Sequence, residues 1–341
     1  ARAGNRLIQE RGYDLIYFST TEFGTFRLGP LWKRLHGVPF VLDYQDPWVN
    51  DHYRLNPDLR PPGGRLKYAI SDRLHRFYEP RVLRHAAAIT AVSSAYPATL
   101  KSRYSWASKI PFQIFPFPGS DSDFSHLSNV STSLLPFDPY DGLIHWVSIG
   151  RGGADLHTAL AGLFSALVIH ASAELRNRLR LHFLGTSYAP AGKGLPTIAP
   201  LAEHYGLGSI VVEHTDRLPL SIALATLKAA DALLVIGSND PSYTASKLYP
   251  YLLANRPLLA IMHRSSSVCN VLQTCGGGRL VCFDGESNTS EIADRINQAW
   301  LLHSLHAKIV PLDRRAFHPH TAEAQAQELV KFFRRCICQS A

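Results

Sequence analysis

The chain has 341 residues, 46% of them hydrophobic and 18% charged, and a formal net charge of +8. That length exceeds what one hydrophobic core commonly supports, and the composition is that of a packed protein, so two domains are expected and general disorder is excluded. No apolar run reaches the roughly 18 to 20 uncharged residues of a membrane-spanning helix, and the start lacks the basic, apolar, small-residue order of a secretory signal.

A polar helix over about residues 3 to 11 leads into the strand "YDLIYFS", and a helix near 28 to 36 leads into "VPFVLDY". A long basic helix, about 64 to 85, precedes the strand "AAAITAVSS", and "PATLKSRYS" precedes "PFQIFPFP". Helices alternating with short apolar strands predict a parallel sheet covered on both faces. Residues 118–141 lose this rhythm and fill with Ser, Pro and Asp, the composition of a linker. Six further strands follow: 143–149, 179–185, 209–213, 230–237, 257–262 and 279–283. Leu156, Leu160, Leu163, Phe164, Leu167 and Val168 recur between the first two at helical spacing. A helix near 320 to 336 ends the pattern.

The expected division is therefore 1–117, linker 118–141, 142–312, and a carboxyl-terminal helix within 313–341. The first domain yields four strands against six in the second. With Ala1 at the start, this suggests that an amino-terminal βα portion is absent.

Charge is uneven. Residues 54–109 hold eleven Lys or Arg against Asp58, Asp72 and Glu79, a basic segment suited to an anionic membrane surface or an anionic acceptor. No nucleic-acid module accompanies it, so nucleic acid is not an expected partner. Five cysteines confined to the last quarter, without paired C-x-x-C spacing, read as reduced thiols of a cytosolic protein.

Two turns carry the chemistry. In "SYTASKLYPYLLANRPLLAI", residues 242–261, Pro250 is tolerated only within the first helical turn, which places the helix start at about Lys247. Thr244 and Ser246 then lie just before a helix start beside an ammonium, a setting for an anion. In "WVSIGRGGADLHTAL", Gly150, Gly152 and Gly153 allow close backbone approach at a strand-to-helix turn, and Arg151 adds a bidentate cation. Both turns follow strands of one predicted sheet, so they should open into one crevice and grip a diphosphate. Asp43, Asp46 and Trp48 end a strand of the first domain. There Trp48 is expected to stack on a sugar and Asp46 to bind an acceptor or serve in catalysis. Arg217 is a further candidate for the nucleotide.

The order of "VPFVLDYQDPWV", Glu79 before "RHAAAITAVSS", "PFPGSD", Gly150 with Arg151, Gly185 and "SKLYPYLLANRPLLAI" resembles a GT-B glycosyltransferase of the family 4 type along essentially the whole chain. The resemblance implies two Rossmann-like doubly wound domains facing a central cleft, the first incomplete here. It implies retaining transfer from a nucleotide-sugar to a glycan or lipid-linked acceptor, with no metal and no cofactor. It assigns Arg151 to the leaving diphosphate and the turn at Ser246 and Lys247 to the nucleotide-sugar, Gly150, Gly152, Gly153 and Thr244 lining the donor site.

Two departures stand against full likeness. Where the family commonly carries two glutamates eight positions apart, the later one on the ribose, this chain has Ser242 and Pro250. A second basic residue shortly after Arg151 is also missing; Gly152, Gly153, Ala154 and Asp155 stand there. A binding-only GT-B relative and a sugar-nucleotide epimerase of similar architecture are the alternatives. The expected location is cytoplasmic, or peripheral at the inner face of a membrane, in polysaccharide or lipid-linked glycan assembly.

Overall fold

A computed structural model describes residues 1–340 except 56–60, 62–63, 126, 128–129, 241–242 and 244–245. The chain divides into two compact units, Ala1–Phe117 joined by Gln325–Ala341, and Pro118–Ala324.

The first unit begins with α1 (Arg2–Arg11), β1 (Ile16–Ser19), α2 (Leu28–His36) and β2 (Phe40–Tyr44). It continues with α3 (His52–Leu55), α4 (Arg65–Leu83), β3 (Ala88–Ala91), α5 (Ala95–Arg103) and β4 (Phe112–Ile114). The four strands pair in parallel in the order β1-β2-β3-β4. Every residue of β2 and β3 is buried, so neither strand alternates apolar with polar residues, and the polar pair Asp43 and Thr90 is buried with the rest. Phe26, Phe40, Leu42, Tyr44 and Leu83 fill one side of the sheet.

A polar network locks the upper part of this unit. The Glu79 carboxylate, fully buried on α4, accepts from Tyr44 Oη (3.3 Å), the Val49 amide (3.3 Å), Arg103 Nη1 (3.1 Å) and Tyr104 Oη (3.0 Å). Arg103 also donates to the Val49 carbonyl (3.2 Å) and Asp51 (3.1 Å), and Asp51 receives Arg76 and Arg54. Three cations of the basic segment are thereby committed to carboxylates. Burial pushes the Glu79 carboxyl up, against the pull of Arg103 and Tyr104.

The second unit holds β5 (Ile144–Ile149), α6 (His157–His170), α7 (Ala173–Arg178), β6 (Leu179–Leu184), α8 (Ala199–His204) and β7 (Val211–His214). Then come α9 (Leu220–Ala229), β8 (Ala232–Ile236), α10 (Leu248–Ala254), β9 (Leu258–His263), α11 (Ser267–Cys275), β10 (Arg279–Phe283), α12 (Thr289–Ile296) and α13 (Arg314–Phe317). Six parallel strands run β7-β6-β5-β8-β9-β10, the doubly wound dinucleotide-fold order with its reversal between β5 and β8.

Alternate residues divide the strands between two cores. Trp146, Leu234 and Ile261 face α6 and α12, while Val147, Val235 and Met262 face α10 and α11. Leu160, Leu163, Phe164 and Leu167 of α6 are fully buried. Val168, expected in the same stripe, is 40% exposed because it lies one step further round the helix. Gly162 lets α12 close in: a Cβ there would meet Ile292 Cγ2 at 2.3 Å.

The expected linker is part of the second unit rather than a tether. Phe137 stacks on His145 at 4.2 Å and tilts against His182, and Arg314 of α13 pairs with Asp121 at 2.9 Å. His145 lies within 3.0 Å of both His182 and Asp141, and burial pushes His182 down to about 4. The carboxyl-terminal segment also divides differently from the expected 313–341. α13 stays in the second unit, and α14 (Ala322–Ser340) crosses to the first near Gln325. There Phe332 and Cys336 cover Val41 and Ala88, and Phe333 meets Tyr17 at 4.9 Å.

Candidate functional site

The reversal point of the six-stranded sheet is where an open parallel sheet leaves a crevice, because neighbouring connections leave to opposite faces there. β5 delivers Gly150 and Arg151 to it, and β8 leads to Gly237 and Ser238 and on toward Lys247 at the start of α10. Tyr251 of α10 ties the two together: its hydroxyl accepts from the Ile149 amide (2.5 Å) and donates to the Ile149 carbonyl (3.1 Å).

The glycines shape this turn and do not present free donors. The Gly150 amide donates to Leu184 O (2.8 Å), that of Gly152 to Thr186 O (2.8 Å) and that of Gly153 to Thr197 Oγ1 (3.1 Å). The close backbone approach expected of these glycines therefore does not bring free N–H groups with it. What requires glycine is space and conformation. Gly150 and Gly153 have φ of 140° and 137°, and added Cβ atoms would meet Lys247 Nζ at 3.2 Å and Asp155 Oδ1 at 2.7 Å. A Cβ on Gly152 would strike Thr197 Oγ1 at 2.4 Å. Thr197 is itself fixed by Glu213, which accepts from the amides of Thr197, Ile198 and Ala199 (3.1, 2.9 and 2.8 Å) at the start of α8.

Arg151 is paired. Its Nη1 and Nη2 donate to the two oxygens of Asp155 at 2.8 and 2.7 Å, and its Cζ lies 4.9 Å from the centre of the Tyr243 ring. Ser238 Oγ donates to Asp155 at 2.5 Å. Burial pushes the Asp155 carboxyl up, but the bonds from Arg151 and Ser238 outweigh it and hold it below the usual range. Sequence reasoning missed Asp155, Ser238 and Tyr243. The signal for the first was available, an acid four residues after an arginine at a helix entry. The Ser238 contact spans 83 positions and had none.

Lys247 is the other cation. α10 begins at Leu248, so Pro250 occupies the third helical position, where its missing N–H leaves no intrahelical bond unmade. The side chain of Lys247, the N-cap residue, makes no capping bond. The ammonium lies over Gly150, desolvated and next to the Arg151 guanidinium; burial first and that like charge second push it down to about 8. Lys247 thus lies at the Gly150 turn, within electrostatic reach of Arg151.

The remaining candidates scatter. Ser246 is exposed in the turn before α10, while Thr244 and Ser242 lie outside the described residues. Arg217 is exposed, its guanidinium 4.8 Å from the Tyr188 ring, beside the turn at Gly185. In the first unit Asp46 is exposed and has no hydrogen-bond partner among the described residues; partial desolvation raises its carboxyl. Asp43 is buried and satisfied by Ser19 (2.8 Å), Thr90 (2.7 Å) and Gln45 (3.1 Å). Trp48 is only 2% exposed, stacked on Phe23 at 6.0 Å and edge-on to Phe26 at 5.4 Å. It is core, which corrects the expectation of a sugar platform: both neighbours would have to leave before a ligand could reach the ring.

Fold and site together define a two-unit α/β protein of the doubly wound class. Residues 1–111 match the family model of the glycosyl transferase 4-like domain. No curated protein sequence matches the chain. Among solved structures, sucrose-phosphate synthase from Thermosynechococcus elongatus aligns with a TM-score of 0.62 at 16% identity, over 99% of this chain and 77% of that one. Anabaena HepE in complex with UDP and glucose gives 0.61 at 14% identity, over 98% and 82%. The α,α-trehalose 6-phosphate synthase of Burkholderia multivorans gives 0.62 at 10%, over 96% and 72%. The fold is that of the GT-B glycosyltransferases, in agreement with the resemblance read from the sequence.

Proposed function

We propose that the protein is a glycosyltransferase that moves a sugar from a nucleoside-diphosphate-sugar to a glycan or lipid-linked acceptor, with retention and without a metal or other cofactor. The observation that carries this reading is the convergence of Arg151 and Lys247 on the Gly150 turn at the reversal point of the second sheet. Negative charge grows on a departing diphosphate as the glycosidic bond breaks, and each cation already aimed there is worth roughly 3–4 kcal/mol of barrier. The family match over residues 1–111 supports the class of reaction, and the UDP and glucose held by HepE support a nucleotide-sugar donor.

In this reading the diphosphate takes over the guanidinium that Asp155 now holds, and it neutralises the buried ammonium. Ser246, Thr244 and Arg217 are further donor contacts. Asp46, the exposed carboxyl of the first unit, is the acceptor ligand or catalytic carboxylate. The proposed setting is polysaccharide or lipid-linked glycan assembly in the cytoplasm, at the inner face of a membrane.

The test is a thermal-shift screen with UDP-, GDP-, ADP- and TDP-sugars, repeated with Arg151→Ala and Lys247→Ala. One donor should raise Tm in the parent chain, by the equivalent of about 2.7 kcal/mol at a hundredfold excess over Kd. Neither variant should respond. A full response in both variants would remove the mechanism.

A binding-only relative is the second reading, favoured by Pro250 in place of the family's ribose glutamate and by the bidentate hold of Asp155 on Arg151. Donor binding with no transfer to any acceptor in a panel would decide for it. An epimerase would instead change the sugar without acceptor.

A further inference from the structure

The outer face of α4 sorts its side chains in a way that folding of the first unit does not require. Leu66, Ile70, Leu74 and Phe77 are 77, 56, 49 and 48% exposed. At roughly 100° per residue they fall on one stripe along the helix. The other exposed side chains of α4 are Ala69 and the cations Arg65, Lys67, Arg73 and Arg81. Both acids of the helix turn inward, Asp72 onto Arg76 at 2.7 Å and Glu79 into the buried network. The exposed surface of α4 thus carries an apolar stripe, and its exposed charged side chains are all cations. The Arg81 guanidinium stacks on the Phe77 ring, its Cζ 3.6 Å from the ring centre, and Nη1 donates to the Phe77 carbonyl at 2.6 Å.

A stripe of four large apolar side chains exposed to water is unfavourable unless something covers it. An acidic protein surface would answer the cations but would leave the stripe to a matching apolar groove. An anionic bilayer answers both at once, because the side chains enter the acyl boundary while lysine and arginine stay among the headgroups. No described helix is long and apolar enough to cross a membrane, so the contact lies in the plane of the surface.

We infer that α4 is a membrane-docking helix, its Leu66, Ile70, Leu74 and Phe77 stripe entering the headgroup boundary of an anionic lipid surface held by Lys67, Arg73 and Arg81. The inference does not depend on the donor chemistry. It narrows the broad basic segment 54–109 to one helix face, since Arg54, Arg76 and Arg103 are spent on Asp51, Asp72 and Glu79.

The full chain is sedimented with phosphatidylcholine vesicles and with vesicles that also contain phosphatidylglycerol, at low and high salt. It should partition onto the anionic vesicles only, and less so at high salt. Lys67→Glu with Arg73→Glu should weaken binding by about fivefold or more per charge. Leu66→Ser, Ile70→Ser, Leu74→Ser and Phe77→Ser together should weaken it by at least about tenfold, circular dichroism and Tm confirming the fold. Should that variant not fold, Phe77→Trp decides: its emission should shift to the blue with anionic vesicles and stay fixed with neutral ones.

Unchanged binding in both the charge and the apolar variants overturns the inference. So does equal partition onto neutral and anionic vesicles, or an assembly of copies that falls apart in the apolar variant while the parent ignores lipid. None of these outcomes bears on the nucleotide screen, which uses no vesicles.

Discussion

Lys247 carries a charge that the folded chain disfavours. Unfolded, its ammonium keeps its proton to near 10.5, whereas folded it gives it up near 8. Below 8 both states are protonated and the fold bears the full cost of desolvation. Between 8 and 10.5 the unfolded state binds more protons, so this residue makes stability rise with pH. Lys247→Met should therefore stabilise the ligand-free chain at pH 7 by up to about 3 kcal/mol, and the gap should close across that window; urea denaturation at pH 7 and pH 10 measures both. The same substitution should abolish the nucleotide-dependent shift in Tm. For the parent chain, affinity for a nucleoside diphosphate should fall above about pH 8 as the ammonium is lost. Gly150→Ala tests the turn from the other side. With φ at 140° and a methyl group 3.2 Å from Nζ, it should lower Tm and weaken donor binding together.

At the scale of elements, the register between β5 and α10 depends on one hydroxyl. Tyr251→Phe leaves the half-buried Ile149 amide and carbonyl without that partner, so a loss of about 1–3 kcal/mol is expected by urea denaturation, with weaker donor binding where the two turns lose their mutual position. The start of α10 was readable because proline forbids most helical positions and permits the first turn. The ten strands were readable for a similar local reason, their apolar runs standing between helical stretches. The state of the glycine amides was not readable. Their partners Leu184, Thr186 and Thr197 lie on other segments, and a glycine-rich turn with open amides has the same sequence as one with closed amides. Trp48 failed likewise, since an aromatic beside carboxylates looks the same whether its ring turns outward or, as here, between Phe23 and Phe26.

At the scale of the molecule, the first unit is completed by residues far along the chain. Phe332 is 4% exposed against β2 and β3, and Phe332→Ala should destabilise that unit by about 3–5 kcal/mol, followed by intrinsic fluorescence during urea unfolding. Sequence reasoning found the helix but not its destination, because an amphipathic pattern states that one face must be covered and not by which sheet. The basic segment shows the same limit: composition counted its cations, and only the fold revealed which of them carboxylates had already claimed.

The return of α14 to the first sheet also orders events during synthesis. Residues 118–324 are all translated before the segment that covers Val41 and Ala88. The later-made unit can therefore reach its native state while the earlier-made one still waits with an open flank. A ribosome-attached chain arrested within α14 should show the six-stranded sheet protected from protease and the four-stranded one still susceptible.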